Sequence, residues 1–329
     1  MANISRRVVI GALAAAQAIP AARAQGRWRP SETASIIIPA APGGTTDIMG
    51  RLLASHLQSA WGQNVVAENK SGAGGTIGTM AVVRARADGH TMLMGNIGPQ
   101  SIAYSLFRNL PYQPKDLVPV SNMIRGPNVL VLHPSVPANS VPEFVQYLKQ
   151  NPGKLSYGTP GIGQSPHLSG VWFHQLTGTQ GVPVHYRGAA PAMVALLSGD
   201  IQYMFDNLTS AIEQVRGGGV KALAVTSADR NPQLSELPSL RETMPELADY
   251  DVSTWFGVFY PAGVPAAAVS TLNADIKTLL ASNSTQQRFA EMGGVSAYGT
   301  PEEFADFVNA EIEKWRGVIR REGLELEIG

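Results

Sequence analysis

The residues best placed for chemistry stand in three glycine-rich turns, each between an apolar run and a helical pattern. The first is Gly43-Gly44-Thr45-Thr46-Asp47, after Ile36-Ile37-Ile38. A strand that turns through two glycines into a helix leaves that helix's first backbone N–H groups unpaired, and the helix dipole adds partial positive charge at the same point. Such an end binds phosphate or carboxylate with no basic side chain, and glycine permits close approach. The plainer reading is a tight turn in which Thr45 or Thr46 caps the helix. Asp47 is expected to turn back onto the loop's own N–H groups, because an ionised carboxylate would repel a bound anion.

The second turn, "NKSGAGGTIG" at 69–78, places Gly72, Gly74 and Gly78 in a G-x-G-x-x-x-G spacing. A dinucleotide fold asks for G-x-G-x-x-G and an acid closing the next strand. The spacing is off by one and "TMLMGN" holds no acid, so no nucleotide cofactor is expected. The third turn, "GTPGIGQSPHLSG" at 158–170, contains Gly163-Gln164-Ser165-Pro166-His167. It approaches the G-x-S-x-G nucleophile elbow but ends in His. Ser165 is read as a helix cap whose hydroxyl faces a ligand, with Pro166 at the first helical position. His167 is read as a hydrogen-bonding residue at the helix start. No metal is expected: cysteine is absent, H-E-x-x-H is absent, and His167 and His174 lie seven apart on one helix.

Short apolar runs at 35–39, 64–68, 91–95, 128–133, 155–159, 182–186, 201–206, 220–226 and 254–260 read as strands. Several are continuously apolar, as suits strands covered on both faces in parallel sheets. Helical patterns at 46–61, 77–87, 141–150, 167–176, 191–197 and 210–216 alternate with them, which predicts doubly wound α/β architecture. Beyond residue 261 the chain reads as helices at 266–281, 284–292 and 301–321. The last begins with Thr300 as N-cap, Pro301, Glu302 and Glu303, and Trp315 falls on its apolar face. Asn96 and Asp206 end strands, where ligands bind in open α/β sheets.

Residues 1–24 combine Arg6-Arg7, an apolar run and Ala22-Arg23-Ala24, the signature of a cleaved signal peptide. The run is shorter than the roughly 20 residues of a membrane span. Cleavage after Ala24 is expected, through the Sec or twin-arginine route, giving a periplasmic chain with no membrane anchor. It would leave 22 basic against 25 acidic residues, which argues against nucleic acid and anionic membranes as partners.

The ordered motifs "PGGTTD", "ENKSGAGGTIGTMAVVRARADGHTML", "LPYQPKDLVPVS", "SYGTPGIGQSPHLSG", "VHYRGAAPAMVALLSGDIQYMFD", "KALAVTSADR" and "TWFGVFYPAGVP" resemble the Bug family. These are extracytoplasmic solute receptors of tripartite tricarboxylate transporters, and the likeness runs from about residue 29 to 321. It implies a type II periplasmic-binding-protein fold: two doubly wound α/β domains with a ligand cleft between them, 27–126 plus 253–329 forming one and 127–252 the other. It implies a monomer that binds a small carboxylate without catalysis and serves membrane transporter subunits. The implied contacts are Gly43, Gly44, Thr45, Thr46 and Asp47 in one domain and Gly163, Gln164, Ser165 and His167 in the other, with Asn96 and Asp206 at strand ends. The sequence departs from the family pattern at Ala40, where an aromatic is usual, at Gln164, where Ser or Thr is usual, and at His185, where Pro is usual. Gln164 is expected to place a longer amide donor at the second anion site. Two other readings stay open: a ligand-sensing partner of a membrane kinase, and a secreted serine hydrolase at Ser165.

Overall fold

The computed structural model describes residues 27–326, so the expected signal peptide at 1–24 lies outside the described residues. Strand β1 (Ala34–Ile38) lies between β2 (Val65–Asn69) and β3 (Thr91–Asn96), parallel to both. Helices α1 (Thr45–Trp61) and α2 (Thr76–Val83) make the crossovers. One face of α1 carries Met49, Leu53, Leu57 and Trp61 at helical spacing, packed into a cluster with Ile36, Ile38, Met92 and Met94. Burying each such side chain contributes on the order of 1.5–3 kcal/mol before conformational entropy is counted. A π-type turn at Gly98–Ile102 and the short α3 (Ala103–Leu106) then lead to β4 (Leu117–Leu132).

A second group of elements follows: α4 (Val141–Gln150), β5 (Ser156–Thr159), α5 (Ser165–Thr177), β6 (Val182–His185), α6 (Ala189–Ser198), β7 (Tyr203–Asn207), α7 (Leu208–Arg216) and β8 (Lys221–Val225). Here β5 is parallel to β6 and β7, while β7 and β8 pair antiparallel with the last residues of β4. The chain returns along β9 (Ser253–Pro261), antiparallel between β3 and the first part of β4. It ends in α8 (Ala266–Ala281), α9 (Asn283–Glu291), the short β10 (Val295–Ser296) and α10 (Pro301–Glu322). The strands read β2-β1-β3-β9-β4-β7-β5-β6, with β8 and β10 also on β4. The parallel pairs are as the apolar runs suggest, but β4 and β9 run against their neighbours because they carry the chain between the two groups.

The strand expected at 128–133 in fact begins at Leu117. Its first half carries Pro119 and Pro127, which cannot donate to a ladder. The structure accommodates the irregularity with register shifts between Pro119 and Ser121 and between Asn122 and Ile124, as bulges do. At the other end, Thr300 caps α10 in a reciprocal capping box with Glu303. Trp315 is buried with Phe304, Val308, Ile312 and Ile319.

Candidate functional site

A cavity of about 430 Å³ lies between the two strand groups. Its walls come from the loops after β1, β2, β3, β5 and β6, together with Asn207, Thr254 and Phe256. Six of the sequence-derived positions line it: Gly44, Thr45, Thr46, Asn96, Gln164 and Ser165. Gly43, Asp47, Gly163, His167 and Asp206 do not, and each has another role.

Gly43 adopts φ +92°, a left-handed conformation that disfavours any side chain. Its neighbour Gly44 is extended and is itself the N-cap of α1, so neither threonine caps the helix as expected. The first intrahelical bond is Ile48 N–H to the Gly44 carbonyl at 3.0 Å, which leaves the N–H groups before it for other partners. Thr45 and Thr46 instead use their hydroxyls sideways. Thr45 Oγ1 meets Thr209 Oγ1 of α7 at 2.6 Å, and Thr46 Oγ1 accepts from Asn96 Nδ2 at 3.2 Å. Asn96 Oδ1 in turn accepts from Gly98 N–H at 2.9 Å.

Asp47 is buried behind the loop and accepts from Gly43 N–H at 3.0 Å, Asn69 Nδ2 at 2.9 Å and Arg51 Nε at 3.1 Å. Burial works to raise its pKa, but the bonds from Arg51, Gly43 and Asn69 and the Arg51 charge together hold it below the usual carboxylate range. It braces the turn. Asp47→Ala strands three donors and is expected to cost about 2 kcal/mol in urea unfolding at pH 7, because Arg51 is half-exposed and part of its loss is made good by water. The depressed pKa sets the sign. The contribution is present above the unfolded pKa and is lost as pH falls through the folded one, so parent and variant should converge in acid below about pH 4. A gap that widens in acid would contradict the brace.

The second group offers a poorer helix end. Gln164 is the N-cap of α5, Ser165 the first helical residue and Pro166 the second, one place later than expected. Proline has no N–H, so this end has one donor fewer than α1. The Gln164 amide commits one of its two N–H donors across the cavity, Nε2 donating to the Gly74 carbonyl at 2.7 Å, and keeps the other. His167 Nδ1 accepts from Gly163 N–H at 3.3 Å, which leaves the ring proton on Nε2. Burial, with His185 adding to it, pushes His167 down to about 4, so it is neutral at pH 7. Its ring stands edge-on to His185 at 5.1 Å. Asp206 is buried with Oδ1 accepting from Asn207 N–H at 2.8 Å and Oδ2 3.3 Å from Ser210 Oγ. Among the described residues, then, Ser165 has no histidine and acid aligned with it, and the hydrolase reading fails on geometry.

Two further segments line the cavity, the first missed by sequence reasoning and the second raised by it only through His185 and through Arg187, read equally as a carboxylate partner or a loop brace. Ser71, Gly72, Ala73, Gly74 and Gly75 form one wall. Their stretch was tested only against a dinucleotide pattern, although it repeats the strand–glycine–helix signal of the first loop. His185 to Ala189 forms another and brings Arg187, the one formally charged side chain among the lining residues. His185 Nδ1 lies 2.7 Å from Thr159 Oγ1, and Ala41 N–H donates to the Arg187 carbonyl at 3.1 Å. With Gln164–Gly74 and Thr45–Thr209, three hydrogen bonds tie the groups together around the cavity.

Two α/β groups joined through β4 and by the return into β9, with a cavity between their loops, have the architecture of periplasmic binding proteins. The family model described as the tripartite tricarboxylate transporter family receptor matches residues 49–324. The chain belongs to that family, whose members are receptors rather than enzymes. It is similar to protein BugT of Bordetella pertussis, at 34% identity over 99% of this chain and 100% of that one. Among solved structures it is similar to R. palustris Rpa4515 with adipate (34% identity, 89% of this chain and 98% of that chain, TM-score 0.86). It is also similar to MatC from Rhodopseudomonas palustris with bound malate (31% identity, 88% and 99%, TM-score 0.84). Among the described residues no helix is long and apolar enough to cross a membrane.

Proposed function

We propose that the chain is an extracytoplasmic receptor that binds a small carboxylate in this cavity and delivers it to membrane transporter subunits. The observation that carries the reading is the cavity itself: the N-terminal ends of α1 and α5 and the loop of Arg187 border it, and no acidic residue is among those that line it. Helix ends supply fixed N–H donors and partial positive charge that need no reorganisation on binding. Gly44, Thr45, Thr46 and Asn96 serve one end of the ligand, and Ser165, His185 and Arg187 the other. Gly43, Asp47, Gly163, His167 and Asp206 hold these loops in shape. The proposed lobes are 27–126 plus 253–329 and 127–252, hinged where β4 and β9 cross, and ligand draws them together. The adipate and malate of the two solved relatives are of the chemical class proposed.

Calorimetric titration of the chain from Gln25 onward against mono-, di- and tricarboxylates tests the reading. Saturable one-to-one binding of at least one class is expected. A folded protein that gives no heat with any of them overturns it.

A further inference from the structure

We infer that the chain has a second small-molecule site, on the far face of β4 and β9, which takes a monoanion with a flat apolar body. It is separate from the cavity of the proposed receptor function and stands or falls independently of that reading.

A space of about 490 Å³ is bordered by β4 and β9, by residues 227–232 after β8, and by β10 and α10. Strand register fixes the side of the sheet on which it lies. Arg125 of β4 stands opposite Trp255 of β9 and opposite Val295 of β10, and directly opposed residues project from the same face. All three border this second cavity, whereas Phe256, the next residue along β9, borders the first. Successive strand residues face opposite ways, so β9 is a partition with one cavity on each side. The second cavity has the size of a small-molecule pocket and lies between structural units, where such pockets concentrate.

Arg125 supplies the chemistry. Its guanidinium carbon lies 3.8 Å from the centroid of the Phe307 ring, which also borders the cavity. Its Nε is buried without a hydrogen-bond partner. The other charges around the cavity are answered. Arg230 donates to Glu242 through Nε at 2.8 Å, Asp229 lies 3.8 Å from Arg241, and Lys314 lies 3.8 Å from Glu311. Asp251 is exposed and accepts from Ala228 N–H at 3.1 Å. Burial presses the Arg125 pKa down, and Glu311 offsets this only from beyond ion-pair reach. Arg125 is thus the one lining cation with no carboxylate partner among the described residues. A partly buried charge left unpaired is costly, and a planar carboxylate matches the edge of a guanidinium. Beside it Val295 is 64% exposed and Phe307 half-buried, a surface that an apolar ring covers.

The test titrates the chain from Gln25 onward calorimetrically with 2-naphthoate and with its uncharged counterpart 2-naphthamide. 2-Naphthoate should bind, with the amide at least about 10-fold weaker. Arg125→Gln should weaken 2-naphthoate at least about 10-fold with an unchanged circular dichroism spectrum. Arg125 does not border the first cavity, so that loss locates the ligand on the far face. Val295→Glu, at an exposed position, sets a carboxylate of the chain's own against Arg125 and should have the same effect, which keeps the test decisive where Arg125→Gln fails to fold. No binding of 2-naphthoate, equal binding of the amide, or full affinity in either folded variant overturns the inference.

Discussion

Gly74→Ala is expected to lower carboxylate affinity at least about 100-fold, close to 3 kcal/mol, while the protein stays folded. Two effects act together. Gly74 has φ +62°, a conformation that costs a side chain about 1–2 kcal/mol. More decisively, a Cβ there would stand 2.3 Å from the Ile162 carbonyl oxygen. That atom is backbone and cannot swing aside, so the 71–75 loop and the 160–164 loop must part. Parting them breaks the bond from Gln164 Nε2 to the Gly74 carbonyl and widens the cavity. Both loops lie on the surface of their own strand group, so each half keeps its core. Titration calorimetry beside thermal unfolding reads the two consequences separately. Full affinity in a folded Gly74→Ala protein would mean that these loops do not meet when ligand is bound.

Asp206→Asn is expected to be more stable than the parent above pH 7, by about 4 kcal/mol, and indistinguishable from it near pH 4. Burial pushes the Asp206 carboxyl up to about 7, with the Asn207 N–H and Ser210 hydroxyl lowering it only in part. A folded-state pKa above the unfolded value means that folding takes up a proton between about pH 4 and 7. Stability from this group is therefore complete at low pH and is lost as pH rises through the folded pKa. The local bonding favours the neutral form. Ser210 Oγ donates to the Asn207 carbonyl at 2.9 Å, so a protonated Oδ2 can donate to Ser210 Oγ, and an asparagine amide can do the same. His167 and His174, both pushed by burial to about 4, give stability of the opposite slope that is lost on acidification. The difference between parent and variant unfolding curves removes their contribution, which both proteins share. A flat difference across pH 4 to 8 would refute the assignment.

The strand–glycine–helix pattern around Gly43 and around Gly163 was legible because it is local: a turn, a helix start and a strand end within a dozen residues. The same locality made α8, α10 and the cap at Thr300 readable. What was not legible depends on partners distant in sequence. The first half of β4 looks like a proline-broken loop until β9 is seen beside it. Gln164 reads as a free amide until Gly74 arrives across the cavity. Arg187 reads equally as a carboxylate partner or as a brace, and only the fold shows that its loop lines the cavity. The 71–75 loop is the exception, since its signal was present and was tested against the wrong ligand class.

The bond between Gln164 and Gly74 joins protein to protein, so it is blind to what the cavity holds. It adds the same increment to the closed form whatever molecule is inside, and so cannot help the receptor choose. It acts on dwell time: every occupant leaves more slowly by the same factor, because the two walls must separate first. Because Gln164 and Gly74 also line the cavity, a substitution in this seam alters the lining as well, so persistence and choice of occupant change together.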